Sequence, residues 1–491
     1  IYVYHLPTRK SYPVTDTWFD SDMPVFSSNG KYLAFVSARD FNPIYGETEW
    51  NHIYVNMSRI YLVLLKKDTP SPFSPKNDEV VSSDTSKNSG KNVKDEKVQV
   101  NIDIEGINER IIPLPIKPSG YYSLFFVNNN LYYIERSTPD GAPTFKRFDL
   151  NKQEETELGK NLNYCISANG KKMLVKDGGR WAIIDLPDSK ISPKTYLDLS
   201  EMQVWVDYAQ EWKQIYDEAW RQMRDFFYVE NMHGLNWQAI HDKYAVLVPY
   251  VRHRDDLTYI IGEMIGELNV GHAYINSGQK PKADRIPLGL LGAKLSKDAS
   301  GFFRVDSIYK GANYNKNLRS PLTEPGVNVR KGDYILAVDG ISTQSYADIY
   351  QLLVYKADKE VQLTVNQVPD FKGSRKVIVV PLRSEADLIY YNWVQNNIRK
   401  VSEATNGEVG YIHIPDMMTE GLNEFARYFY PQLTKKVLII DDRGNGGGNV
   451  SPQIIERLNR QLVRLKSYRN ATVSFPVPSM MTGPKIMLID Q

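Results

Sequence analysis

Residues Asp441–Val450 read DDRGNGGGNV, and the residues on either side decide how the chain folds there. Val437, Leu438, Ile439 and Ile440 precede the stretch, an apolar, partly β-branched run of the length of a fully buried strand. Ser451-Pro452 follows, then Ile454, Ile455, Leu458 and Leu462 at helical spacing. Ser451 is the residue type that caps a helix, and proline suits the first turn. The unit is predicted to run strand, glycine loop, helix. Gly446, Gly447 and Gly448 strip the side chains from the bend and leave backbone N–H groups beside the positive end of the helix. Such a place holds negative charge, either a phosphate or the oxyanion of an acyl-transfer intermediate.

Two phosphate loops can be tested directly. A Walker loop needs Gly-Lys-Ser/Thr, and no lysine follows these glycines. A dinucleotide fingerprint needs G-x-G-x-x-G, and after Gly444 and Gly446 its third place is held by Asn449. Phosphate is therefore disfavoured and the oxyanion hole gains weight. The bland alternative is a tight turn whose glycines serve packing alone.

A chain of 491 residues is too long for one core, and three or four domains are expected. The formal net charge of +2 gives no electrostatic footprint for nucleic acid. No apolar stretch reaches the ~18 residues of a membrane span, so neither nucleic acid nor membrane is expected as a partner. Cys165 is the single cysteine, which excludes an internal disulfide and any Cys-based metal site. There is no HExxH pairing, and no metal or cofactor is expected. The chain opens on Ile1 inside the strand-like IYVYHL, so its natural start is expected upstream and the lack of a signal peptide decides nothing.

In chain order, residues 1–204 read as β-structure, short aromatic or β-branched runs separated by turn residues. FSSNGKYLAF at Phe26–Phe35 repeats as CISANGKKMLV at Cys165–Val175. Asn-Gly before a hydrophobic run is a hairpin signal in which both turn positions want positive φ, and repeated hairpins suggest the blades of a partial β-propeller. An unrelated β-sandwich is the alternative. Lys76–Val100 is polar and low in complexity, an exposed loop between blades.

Residues 205–284 turn helical. Trp212, Ile215, Tyr216, Ala219, Trp220, Met223, Phe226 and Phe227 recur at helical spacing and are read as core, and further helices are predicted near 237–248 and 257–268. The last leads into Asn269-Val270-Gly271-His272-Ala273-Tyr274, read as an exit into a strand. Residues 285–384 are β-rich again, with PLGLLGAKL at Pro287–Leu295 and VRKGDYILAVDGIST at Val329–Thr343. That pattern resembles a PDZ domain. In that family a short glycine loop captures a C-terminal carboxylate, which implies peptide binding at Leu290, Leu291 and Gly292. In 385–491 strands alternate with helices, implying a parallel sheet whose last member is the apolar KIMLID at the chain's end, read as another buried strand.

Hairpins, a helical segment ending in GHAY, a PDZ-like insert and a strand into DDRGNGGGNVS stand here in one order. Together they resemble the tricorn proteases, relatives of the C-terminal processing peptidases. The resemblance implies a multidomain α+β fold: partial β-propeller, helical segment, PDZ-like domain and crotonase-like α/β catalytic core. It implies a serine endopeptidase acting on peptides or unfolded polypeptides, with no cofactor. His272 matches the family's general base, and Gly447 or Gly448 would supply half of the oxyanion hole. The family often carries a serine where this chain has Gly271. Its nucleophilic serine follows a strand matching KIMLID, and this sequence stops at Gln491 before reaching it. Family members assemble, some as hexamers, so a homo-oligomer is implied, in the cytoplasm or, alternatively, in a bacterial periplasm.

The chemistry agrees. A serine hydroxyl needs an adjacent base, and histidine titrates near working pH. The remaining histidines, His413 among them, are read as structural, and Ser451 is adequately explained as a helix cap. The rival expectation is a non-hydrolytic propeller and PDZ scaffold with a degenerate core, favoured by Gly271.

Overall fold

The computed structural model describes residues 1–46, 52–74, 100–278, 283–473 and 480–490, in two compact units, Ile1–Trp205 and Val206–Gln491. Of the polar stretch Lys76–Val100, residues 76–99 lie outside the described residues.

The first unit is built from antiparallel sheets. One joins Ser21–Phe26, Tyr32–Ala38, Ser58–Leu64 and Ile111–Pro113. The next is a four-stranded meander, Gly120–Val127, Asn130–Arg136, Thr144–Asp149 and Glu154–Lys160. A third holds Asn163–Ile166, Lys172–Asp177 and Arg180–Asp185. Four-stranded meanders stacked face to face are the blades of a propeller. The period of two along a strand makes the stacking work. Leu131 and Tyr133 of Asn130–Arg136 point into a core shared with Ala34, Ile60 and Leu62 of the first sheet. Tyr132 and Ile134 point the other way, toward Met173, Val175 and Ala182 of the third.

The repeated hairpin turns are alike in detail. Ser27 N–H donates to Tyr32 C=O at 2.9 Å and Ser167 N–H to Lys172 C=O at 2.9 Å. Gly30 and Gly170 take φ 69° and 65°, but Asn29 and Asn169 do not adopt positive φ as the Asn-Gly reading expected. Each asparagine side chain instead accepts from the lysine N–H after the glycine, at 3.1 Å in both copies. An Asx-type bond thus takes over what a second left-handed residue would have done.

The second unit begins with three helices: α1 (Tyr208–Phe226), α2 (Trp237–Ala245) and α3 (Arg254–Gly266). Their N-termini are capped by Asp207, Asn236 and His253, the last in a capping box with Asp256. Tyr216, Trp237, Leu257, Ile261 and Met264 form their core. Phe226, expected inside, is 77% exposed, because α1 ends there and Phe227 turns inward in its place. The segment Asn269–Tyr274 is a turn and irregular chain, not the strand expected.

The PDZ-like part is an antiparallel sheet ordered Ala293–Lys297, Phe303–Ile308, Tyr334–Val338, Val361–Asn366, Arg375–Val379. Asp339 and Gly340 make its two-residue hairpin with φ 50° and 81°, as their identities predict. Helix α4 (Ala386–Ala404) then leads to a parallel sheet, Val409–His413 beside Val437–Asp441 beside Lys485–Leu488. Helices α5 (Thr419–Phe429) and α6 (Ser451–Leu458) complete it. Its core holds Ile412, Leu438, Ile440 and Ile454 with the stacked pair Phe425–Phe429, ring centroids 4.6 Å apart. Lys485–Leu488, expected to be buried, is exposed along its length, since it is the edge of the described sheet.

Candidate active site

The strand Val437–Asp441 delivers Asp441, fully buried, to the start of the glycine loop. Arg443 reaches back and grips it with two bonds, Nε to Oδ1 at 2.8 Å and Nη2 to Oδ2 at 2.6 Å, the fork geometry of a strong charge-assisted pair. Tyr411 on the adjacent strand donates to the same carboxylate at 2.6 Å and receives Asn397 Nδ2 at 3.0 Å. Burial alone would raise the Asp441 carboxyl, but hydrogen bonds from Arg443 and Tyr411 outweigh it and hold the group down to about 2.

A second brace comes from His413, 6% exposed. Its Nε2 lies 3.0 Å from the Arg443 carbonyl and its Nδ1 2.9 Å from Tyr390 Oη. A carbonyl only accepts, so Nε2 carries a proton. Trp393 stands perpendicular to the ring, centroids 4.7 Å apart.

Beyond Arg443 the loop is tied by its own main chain. Gly446 N–H donates to Pro415 C=O at 3.0 Å, and Met417 N–H to Gly447 C=O at 2.8 Å. Val450 N–H donates to Met417 C=O at 2.8 Å. Asn445 takes the amide of Gly447 onto its Oδ1 at 2.7 Å. Among the described residues the exposed Gly448 N–H has no acceptor, so of the two expected donors Gly448 is the free one.

The two glycines are required for different reasons. At Gly447, φ is 79° and a Cβ would meet nothing within 4 Å. At Gly448, φ is 145° and a Cβ would fall 2.2 Å from the Met417 carbonyl oxygen. Gly447→Ala is expected to cost about 1 kcal/mol, the strain of a left-handed residue. Gly448→Ala is expected to cost more, about 2–3 kcal/mol, because backbone must move. Urea denaturation of the two variants checks the order.

Ser451 is the first residue of α6, not its cap. Val450 holds the cap position, with no side-chain bond, and its N–H is already engaged.

His272 lies in the irregular segment after α3 and is exposed. Its Nδ1 is 3.3 Å from Tyr274 Oη, and no hydrogen bond joins it to the glycine loop among the described residues. Gly271 has open space where a side chain would begin. Leu290 and Gly292 are engaged by the chain itself, Leu290 N–H with Leu382 C=O at 2.9 Å and Gly292 N–H with Glu385 Oε1 at 2.6 Å, while Leu291 is buried in the sheet core. Among the described residues no cluster of three or more His, Cys, Asp or Glu could hold a metal ion, and no helix is long and apolar enough to cross a membrane.

Three segments match domains of one protease family. Residues 1–187 match the tricorn protease second β-propeller domain, 208–266 the tricorn protease C1 domain and 289–384 the tricorn protease PDZ domain. The chain is tricorn protease-like. Its sequence is 32% identical over 467 residues to tricorn protease homolog 1 of Streptomyces coelicolor, covering 91% of this chain and 43% of that protein. It is 29% identical over 503 residues to the tricorn protease of Thermoplasma acidophilum, covering 100% and 45%. A crystal structure of the tricorn protease superposes with a TM-score of 0.85 at 26% identity, over 99% of this tricorn-like chain and 47% of that one. The chain thus spans about half the length, or less, of these relatives.

Proposed function

We propose that this tricorn-like chain forms part of a serine endopeptidase that hydrolyses peptides or unfolded polypeptides through an acyl-enzyme. The observation that carries the reading is the Gly448 amide, exposed and unpartnered among the described residues, on a loop braced from Asp441 and His413. An N–H held rigidly and left without an acceptor suits an oxygen that becomes anionic during reaction. Gly447 fits less well as the donor, since Asn445 occupies its amide. His272 is the general base of this reading, supported by its GHAY context and by its exposure. The nucleophilic serine is placed beyond residue 491, and residues 385–491 are taken as part of a crotonase-like core. A homo-oligomeric, cytoplasmic enzyme is the reading the family resemblance supports.

The open position at Gly271 favours the second reading, a non-hydrolytic peptide-binding scaffold, because no neighbouring serine orients the imidazole. A fluorophosphonate probe applied to the full-length polypeptide separates the two. Labelling of a serine beyond residue 491, with peptide cleavage unchanged in Ser451→Ala, is the expected result. Absence of both labelling and cleavage would leave the scaffold standing.

A further inference from the structure

We propose that the loop Pro287–Gly292 of the PDZ-like domain is a carboxylate-binding site whose resident ligand is the protein's own Glu385, so that it is closed to the chain end of a peptide. Glu385 lies immediately after the PDZ-matched segment and immediately before α4. Its Oε1 accepts from Gly292 N–H at 2.6 Å; burial lifts the carboxyl above its ordinary value, and the N–H groups of Gly292 and Ala293 pull it part of the way back. This is what a glycine loop of this kind offers a C-terminal carboxylate, here given to a side chain. Gly292 has φ 71°, a backbone conformation that favours glycine, and a Cβ on it would crowd Pro321 at 3.2 Å and Leu388 at 3.3 Å.

Two more of the loop's N–H groups are also engaged. Gly289 N–H donates to Leu353 C=O at 2.9 Å, and Leu290 exchanges two bonds with Leu382, at 2.9 and 2.8 Å. Glu385 is not a swinging surface acid. Leu388, one turn along α4, is 1% exposed. Asn392 makes a reciprocal clamp on Lys310, accepting its N–H at 3.0 Å and donating to its C=O at 2.7 Å. The charge also makes itself felt on Tyr309 and Tyr350, whose hydroxyls are raised by burial first and by Glu385 second.

Beside the loop, Ala293–Lys297 is an edge strand of its sheet, the kind of edge to which a peptide adds. A peptide's α-carboxylate would have to displace an acid held in the same chain at an effective concentration on the order of millimolar or more. Micromolar peptide does not do that. This inference rests on the PDZ-like geometry and stands apart from the peptidase reading.

The test is fluorescence anisotropy with a fluorescein-labelled hexapeptide ending in leucine, as free acid and as carboxamide. It is titrated with the intact chain, with Glu385→Ala, and with Asn392→Ala as a control that cuts the other tie. Glu385→Ala is expected to bind the free acid at least tenfold more tightly than the parent, with no gain for the carboxamide and none for Asn392→Ala. Glu385→Gln, which keeps the side chain's size, gives a smaller gain and carries the test if the alanine variant does not fold. Equal binding of the free acid by the parent and the Glu385 variants would overturn the proposal, as would a gain shared equally by acid and amide. Cleavage is not read, so failure here leaves the peptidase reading untouched.

Discussion

Replacing His272 with alanine in the full-length polypeptide is expected to lower kcat for peptide cleavage by about 10²- to 10⁴-fold, the range in which a positioned general base acts. The melting temperature should hardly move. The ring is exposed, and among the described residues its polar and ring contacts are both with Tyr274, at 3.3 Å and at 5.8 Å between centroids. An exposed side chain with one such neighbour contributes within about 0.5 kcal/mol of stability. Cleavage at the parental rate in a folded His272→Ala variant would remove His272 from the mechanism.

The second large effect falls on stability. Asp441→Ala leaves the Tyr411 hydroxyl without its acceptor and the Arg443 guanidinium without its partner. Breaking a buried pair from one side costs roughly 3–5 kcal/mol, and because the Arg443 side chain is 49% exposed, about 3 kcal/mol is expected. The carboxyl sits at about 2 in the folded protein against an ordinary 3.8. A lowered folded value stabilises above the unfolded one, so the contribution is present above pH ~4 and fades as pH falls toward 2. The gap between parent and Asp441→Ala should therefore narrow by about 2 kcal/mol between pH 5 and pH 2, read by urea melts at each pH. A gap that stays constant over that range would show that Asp441 is not held ionised by Arg443 and Tyr411.

The strand, the glycine loop and the helix around Asp441–Val450 were legible because each rests on a local rule. β-branched apolar residues make the strand, glycines make the bend, and proline opens the helix. What escaped depends on distant partners. Ser451 has the chemistry of a cap, but the bond from Val450 to Met417 sets the helix start one residue earlier than a capping serine allows. Gly447 and Gly448 look equivalent in sequence; Asn445 folding back distinguishes them as donors, and the Met417 carbonyl beside Gly448 distinguishes them in space. The Asp-x-Arg spacing was the available signal for the Asp441–Arg443 grip, since it sets an acid and a base two residues apart where the strand ends in a turn. His413 gave no such signal, because its partners Tyr390 and Arg443 lie 23 and 30 residues away. KIMLID is apolar enough for a core strand, yet composition does not say whether a strand stands in the middle or at the margin of its sheet. Glu385 is likewise silent, being 93 residues from the glycine whose amide it fills.

The strand Asn130–Arg136 has a consequence for register. Both of its sides are apolar, Leu131 and Tyr133 on one, Tyr132 and Ile134 on the other. A slip by one position would still hide oily groups on each side, so greasiness does not tell the strand where to stop sliding. The polar bend before it carries that information. Asn128 holds φ 55°, its N–H is caught by Ser28 Oγ at 2.6 Å, and Asn29 Nδ2 reaches Asn129 Oδ1 at 3.1 Å. The first Asn-Gly corner therefore works as a locating pin for the neighbouring blade.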